Sequence, residues 1–224
     1  MKFLVLSDIH GDLEHLEKLE GEFKKADAVL FAGDFAKFGE PETAEPVLEK
    51  LCSMHNTIFS VIGNCDEPDF IGNIEAKDIS VQKSLVQFEG LCIAGSGGGL
   101  PFGGAANERE DAELATDFNI LTEQGSCEWD NLVAIMHNPP KDTDCDKISA
   151  GIHVGSESLR AFIEQYKPLA VVTGHIHESV AVCKIGNTTV INPGALMEGR
   201  YGWLEVCKEG GAWQVKSAQL CTIE

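Results

Sequence analysis

Apolar residues fall into short blocks that stop at glycine or a polar side chain, and between the blocks run segments whose apolar residues recur every three or four positions. Blocks of the first kind read as buried strands, and segments of the second kind as amphipathic helices lying against a sheet. Phe3-Leu4-Val5-Leu6 is followed by Ser7-Asp8 and Gly11, which predicts a first strand ended by a sharp turn. Leu13, Leu16, Leu19 and Phe23 then keep helical spacing, and residues 28–32 predict a second strand ending at Gly33-Asp34. A strand-helix-strand unit of this length implies a right-handed crossover, so the two strands run parallel and end on the same sheet edge. A helix over 43–54 leads into a third strand, 57–62, which stops at Gly63-Asn64-Cys65-Asp66.

The second half repeats the design. Residues 84–88 and 91–95, joined at Glu89-Gly90, predict a hairpin, and a helix is expected over 108–124. Between them, residues 95–104 are rich in glycine and lack the G-K-[ST] ending of a phosphate-binding P-loop, so they read as a connection. A strand over 131–136 ends in His137-Asn138-Pro139-Pro140, and residues 141–155 show no period and predict a surface loop. Asp142, Asp144 and Asp146 within it lack the glycine and glutamate spacing of a calcium loop and read as a solvated cluster. Ser156 is placed to cap a helix with Leu159, Phe162, Ile163 and Tyr166 inward, and the strand over 169–173 ends in Gly174-His175-Ile176-His177. A hairpin over 179–191, the turn Asn192-Pro193-Gly194 and strands over 200–207 and 212–220 complete an α/β chain. No repeat, linker or low-complexity tract appears, so residues 1–224 are expected to form a single domain.

Charge narrows the range of partners. Seventeen basic against 36 acidic residues give a net charge of −19, which repels a nucleic-acid backbone or an anionic membrane. The eight cysteines form no C-x-x-C pair and lie in apolar surroundings, as expected of free thiols in a reducing compartment. No apolar run reaches the roughly 18 residues of a membrane helix, so a cytoplasmic protein is expected.

Five strand ends carry the candidate chemistry: Asp8 with His10, Asp34, Asn64, His137, and His175 with His177. Side chains two apart in an extended chain point the same way, which predicts that Asp8 and His10 project together. A lone strand-end histidine is usually structural, but that reading does not account for all five ends. Hard oxygen and imidazole nitrogen donors converging on one edge suit two divalent cations about 3.5–4 Å apart with a shared carboxylate.

In order and spacing these blocks resemble the signature of the calcineurin-like metallophosphoesterases. The cysteine of Gly63-Asn64-Cys65-Asp66 and the Asn192-Pro193-Gly194 turn look most like the compact prokaryotic YfcE-like phosphodiesterase branch. The resemblance implies a four-layer α/β/β/α sandwich. It implies that Asp8, His10 and His177 hold one metal, that Asn64, His137 and His175 hold the other, and that Asp34 bridges them. Two divalent ions follow, with manganese expected and iron, zinc, nickel, cobalt or magnesium compatible with the donors. The implied activity is hydrolysis of a small phosphodiester by in-line attack of metal-bound hydroxide on phosphorus. A phosphomonoesterase or nucleotide pyrophosphatase of the same fold is the alternative, and a non-catalytic scaffold the alternative of another class.

Cys65 departs from the commoner pattern, in which a histidine at this place protonates the leaving group. A thiol, with an ordinary pKa of about 8.5, is the poorer acid at neutral pH. His153, just ahead of a helix start, is therefore expected to face the substrate as proton donor or phosphate contact, and Asp66 to orient its neighbours. The catalytic candidates are Asn64, Cys65, Asp66 and His153. The substrate-binding candidates are Asn64, His153, Asn192 and Arg200.

Overall fold

Two sheets stack face to face between two sets of helices in a computed structural model that describes residues 1–124 and 129–223. In chain order the first half runs β1 (Lys2–Leu6), α1 (Leu13–Lys18), α2 (Glu20–Phe23), β2 (Ala28–Phe31), α3 (Ala44–Met54), β3 (Ile58–Ser60) and α4 (Ile71–Ala76). It continues through β4 (Leu85–Phe88), β5 (Leu91–Ser96), α5 (Asp111–Thr116), α6 (Asn119–Gln124), β6 (Leu132–Met136), α7 (Glu157–Tyr166) and β7 (Ala170–Thr173). The chain closes with β8 (Ala181–Ile185), β9 (Thr188–Asn192), β10 (Arg200–Glu209) and β11 (Ala212–Thr222). One sheet has the order β11-β10-β1-β2-β3 and the other β4-β5-β6-β7-β9-β8. β1, β2 and β3 are parallel in the first, and β5, β6, β7 and β9 in the second, so both sheets deliver their carboxyl ends to one rim.

The uniformly apolar strands follow from burial on both faces. Phe3 and Val5 of β1 point inward, where they meet Ile93, Ile135, Val172 and Ile191 of the opposite sheet. Leu4 and Leu6, one residue out of phase, pack under the helices with Leu16, Phe23, Val47 and Leu51. The second sheet does the same with Leu132, Ala134 and Met136 beneath Leu114, Leu159, Phe162 and Ile163. The result is the four-layer α/β/β/α arrangement.

Several boundaries differ from the sequence expectation. The helix expected over 108–124 is two short helices, because Arg109 donates from both of its terminal nitrogens to the buried Asp117 carboxylate, at 2.7 and 2.8 Å, at the break. The helix begun at Leu13 likewise divides at Leu19, and the third strand shortens to Ile58–Ser60. Residues 141–155 are not a loosely solvated loop. Asp146 is fully buried there and accepts hydrogen bonds from the backbone N–H of Asp142, Thr143 and Gly155, while Asp142 and Asp144 stay exposed. Seven cysteines are free thiols and the eighth, Cys127, lies outside the described residues. Cys145 and Cys183 stand with their sulfurs 3.7 Å apart. Among the described residues no helix is long and apolar enough to cross a membrane.

Candidate metal centre

The turns that follow the parallel strands carry the candidate ligands, and their backbones are strained there. Asp8 (φ 53°), His10 (φ 47°), Asp34 (φ 62°) and His175 (φ 67°) all occupy the left-handed region. Each such non-glycine residue costs on the order of 1 kcal/mol or more, and persists only where its surroundings hold it. β1 has already ended at Leu6, so Asp8 and His10 are not aligned by an extended chain, as the sequence spacing suggested. They are aligned by a kinked turn tied to the turn after β2, in which Asp8, His10 and Gly11 donate their N–H to the carbonyls of Gly33, Asp34 and Phe35.

Two glycines let these turns approach. A side chain at Gly63 would meet Asp34 Oδ1 at 1.9 Å, and one at Gly174 would meet Ser7 Oγ at 1.7 Å and Asp8 Oδ2 at 2.6 Å. With no side chain there, the backbone N–H of His175 donates to both Asp8 oxygens, at 3.2 and 3.1 Å.

The candidate ligands gather in one place although up to 169 positions separate them in sequence. His177 Nε2 lies 3.3 Å from Asp8 Oδ1 and 3.2 Å from His10 Nε2. Asp34 Oδ2 stands 3.5 Å from His10 Nε2 on one side and 3.5 Å from His137 Nε2 on the other, the place a bridging carboxylate takes. Asn64 Oδ1 is 2.8 Å from His137 Nε2. His175 is set slightly apart, its ring centre 5.2 Å from that of His137. Asp8, Asp34 and His137 are essentially inaccessible to solvent, while His10, Asp34, Asn64, Cys65, His175 and His177 line a cavity of about 410 Å³.

The donor set fits divalent cations on a test internal to the structure. His10 Nδ1–H donates to the Ala36 carbonyl at 2.9 Å, and His137 Nδ1–H donates to the Ala32 carbonyl at 2.7 Å. Each bond fixes the tautomer and leaves Nε2 with a bare lone pair. Those lone pairs point at other acceptors, the Asp34 carboxylate and the Asn64 carbonyl oxygen, with no hydrogen between them. Such convergence of acceptors is repulsive unless a proton or a cation stands among them. Among the described residues three close groupings of potential ligands arise: Asp8, His10 and His177; Asp8, Asp34 and His137; and His10, Asp34 and Cys65.

The electrostatics have the same origin. Burial opposes ionisation of Asp8, yet the His177 hydrogen bond and the His177 charge hold its carboxyl well below the usual range. Burial likewise opposes charging His177, but the bond to Asp8 and the Asp8 and Asp34 charges outweigh it, raising the imidazole to about 9. His175 is lowered to about 4 by burial and by its neighbour His137.

The remaining candidates divide. Cys65 faces the cavity, but burial and the Asp34 carboxylate push its thiol far up, and its backbone N–H is given to Asp34 Oδ1 at 2.8 Å. Asp66 holds its neighbours in place. It is fully buried, and its two oxygens accept the backbone N–H of Asp34 (3.1 Å), Ala36 (2.7 Å) and Gly63 (2.7 Å), clamping the turns after β2 and β3 together. Burial and the Asp34 charge raise it to about 6.

His153 is also placed otherwise than expected. Its Nδ1 is 2.8 Å from Asp146 Oδ1, and its neighbour Val154, not His153 itself, lines the cavity beside the metal ligands. Asn192 is a buried tie and not a substrate contact. Its amide donates to the Ile176 carbonyl at 3.0 Å and the Cys145 carbonyl at 3.4 Å, and its oxygen accepts from Gly194 N–H. Arg200 does reach the site, giving a hydrogen bond to the His177 carbonyl at 2.9 Å and pairing with Glu198 at 3.1 Å.

Residues that sequence reasoning passed over hold the rest. Asn107 donates its amide to the Gly63 carbonyl and its backbone N–H to the Asn64 carbonyl, fixing the turn that presents Asn64. Glu108 Oε1 accepts the backbone N–H of Phe102, Gly103, Gly104 and Ala105, so the glycine-rich loop wraps the chain's own carboxylate. The glutamate just beyond the glycines was the available signal.

Known proteins share this fold. The chain is 32% identical over 202 residues to the uncharacterized protein MJ1162 of Methanocaldococcus jannaschii, covering 86% of this chain and 88% of that one. Among solved structures it superposes on TT1561 of Thermus thermophilus with a TM-score of 0.73 at 21% identity, over 100% of this chain and 99% of that one. It also superposes on the calcineurin-like phosphoesterase YfkN of Bacillus subtilis, with a TM-score of 0.62 at 15% identity over 100% and 90% of the two chains. The sequence model of the calcineurin-like phosphoesterases matches residues 1–179, a span that includes the candidate ligands from Asp8 to His177. The chain therefore belongs to the calcineurin-like phosphoesterase family, the dinuclear metal-dependent hydrolases of phosphoesters.

Proposed function

We propose that this protein is a dinuclear metal-dependent phosphodiesterase acting on a small, activated phosphodiester, with manganese as its working ion. The observation that supports this most is the absence, among the described residues at the site, of an acid suited to protonate a leaving group. The Cys65 thiol is held protonated beside a carboxylate, Asp66 is spent on backbone amides, and His153 lines neither of the two cavities at the site. A site so built favours an ester whose leaving group departs as a stable anion.

Asp8, His10 and His177 would hold one cation, Asn64, His137 and His175 the other, with Asp34 between them. When bound, the pair supplies Lewis acidity, lowering the pKa of a water and drawing charge from phosphoryl oxygens. The chain keeps its donors ready for this: the Ala32 and Ala36 carbonyls set the imidazole tautomers, Asp66 holds the Asp34 turn, and the His175 N–H orients Asp8. The cationic side chains at the cavity are already engaged, Lys37 with Glu40 at 3.2 Å and Arg200 with Glu198 at 3.1 Å. That supports a monoanionic diester over a dianionic monoester, and the net charge of −19 supports a small molecule over nucleic acid.

The test is hydrolysis of bis-p-nitrophenyl phosphate against p-nitrophenyl phosphate after chelation and re-addition of Mn²⁺, Ni²⁺, Zn²⁺ or Mg²⁺. The diester is expected to be the better substrate. Asp34→Asn should lower kcat/KM by about a thousandfold or more, as loss of a shared metal ligand does. Preference for the monoester would replace this reading with a phosphomonoesterase, and no turnover with any metal would overturn it.

A further inference from the structure

Beside the metal face lies a second cavity of about 670 Å³, within the size range of small-molecule sites, and His175 and His177 line both. A phosphoryl group held at the metal face would therefore lie within reach of the second cavity, across this histidine pair. The walls of the second cavity are aliphatic, from Leu100, Ile148, Val154 and Ile176, with the exposed ring of Phe102 at the rim.

Its charges do not suit an anion. Glu178 and Glu198 face it, and the Arg200 guanidinium on the same lining is already paired with Glu198 and with the His177 carbonyl. The amide cluster of the glycine-rich loop, the natural cradle for a second phosphate on this wall, is filled by Glu108, whose oxygen lies 2.8–3.1 Å from four successive N–H groups. Those four bonds, led by that from Phe102, hold the Glu108 carboxyl below its usual range, so it stays ionised in place.

We propose that the second cavity receives an uncharged, apolar ester arm of the substrate and rejects an arm that carries a further negative charge. This rests on the phosphoester reading above and specifies its substrate: a phosphodiester with an aromatic or aliphatic arm, as opposed to a nucleoside polyphosphate or an oligonucleotide. Phe102 and Val154 are then specificity-determining residues, one on each wall.

Single-arm phosphonates measured by calorimetry on the manganese-loaded full chain isolate this arm from turnover. Phenylphosphonate should bind at least tenfold more tightly than methylphosphonate, and a carboxylate at the para position should abolish that gain. Val154→Asp should bring the phenyl-to-methyl ratio below about threefold. Phe102→Asp, at a rim position 85% exposed where folding is not at stake, should shift the ratio in the same direction. Equal Kd values for the two phosphonates in the wild-type protein, or tight binding of the carboxylated one, would overturn the inference and leave the phosphodiesterase reading standing. Failure of every phosphonate to bind, with no hydrolysis of bis-p-nitrophenyl phosphate, would remove both.

Discussion

His177 shows how one side chain joins structure to chemistry. In the metal-free protein its imidazole is raised to about 9 because the Asp8 carboxylate outweighs the cost of burial. A ligand must release its proton to bind a cation, so below pH 9 the cation that His177 would hold with Asp8 and His10 displaces one proton from it. Metal affinity should therefore weaken about tenfold for each unit the pH falls between 9 and 7, and recover on the alkaline side, as calorimetric titration in buffers of matched ionic strength would show. His153 makes the opposite case. Its ring serves Asp146, so His153→Ala should leave kcat/KM within about threefold and the shape of the pH–rate profile unchanged, while costing about 1 kcal/mol in urea denaturation. The sequence suggested a catalytic role because a histidine before a helix start is compatible with either duty. What separates the two is the cavity lining, which takes in Val154 and not His153.

The turns carry more of the site than the strands do. Each strand end was readable as an apolar run stopping at a polar residue, but the left-handed conformations of Asp8, His10, Asp34 and His175 were not, since nothing local demands them of a non-glycine residue. They are imposed by neighbouring turns that pack too closely for a side chain at Gly63 or Gly174. Gly174→Ala should push the turn after β7 away from Asp8 and Ser7, and lower metal affinity by at least tenfold by the same titration, with far-UV circular dichroism unchanged.

The loop after β6 depends likewise on Asp146. Burial opposes its ionisation, yet the bond from His153 and the N–H groups of Thr143 and Gly155 bring its carboxyl below the usual value. A depressed pKa gives stability that is present above the unfolded value of about 3.9 and lost as the pH falls below it. Asp146→Asn should thus lose about 1–3 kcal/mol at pH 7, with the difference from wild type narrowing below pH 4 in denaturation series.

Metal binding should be felt across the entire fold, because the ligands come from both sheets and are separated by most of the chain. A cation that binds only the folded state at a hundred times its Kd adds about 2.7 kcal/mol, so chelation should lower Tm by about 5–10 °C in a chain of this size. The two-sheet core was legible because both faces of β1, β2, β6 and β7 are buried, which leaves uninterrupted apolar runs that local periodicity detects. The identity of the candidate ligands was legible for a related reason: parallel strands must end on one edge, so residues placed at strand ends share that edge whatever their distance in sequence. What the chain alone could not disclose was the use to which each polar group is put. Asn192 looked like a substrate contact and is a tie between turns, Asp146 looked like solvated surface and is a buried hub, and Glu108 organises a glycine-rich loop that read as a plain connection. A hydrogen-bonding side chain has the same local signature whether its partner is a substrate or a distant backbone amide, and long-range packing decides which of the two lies within 3 Å.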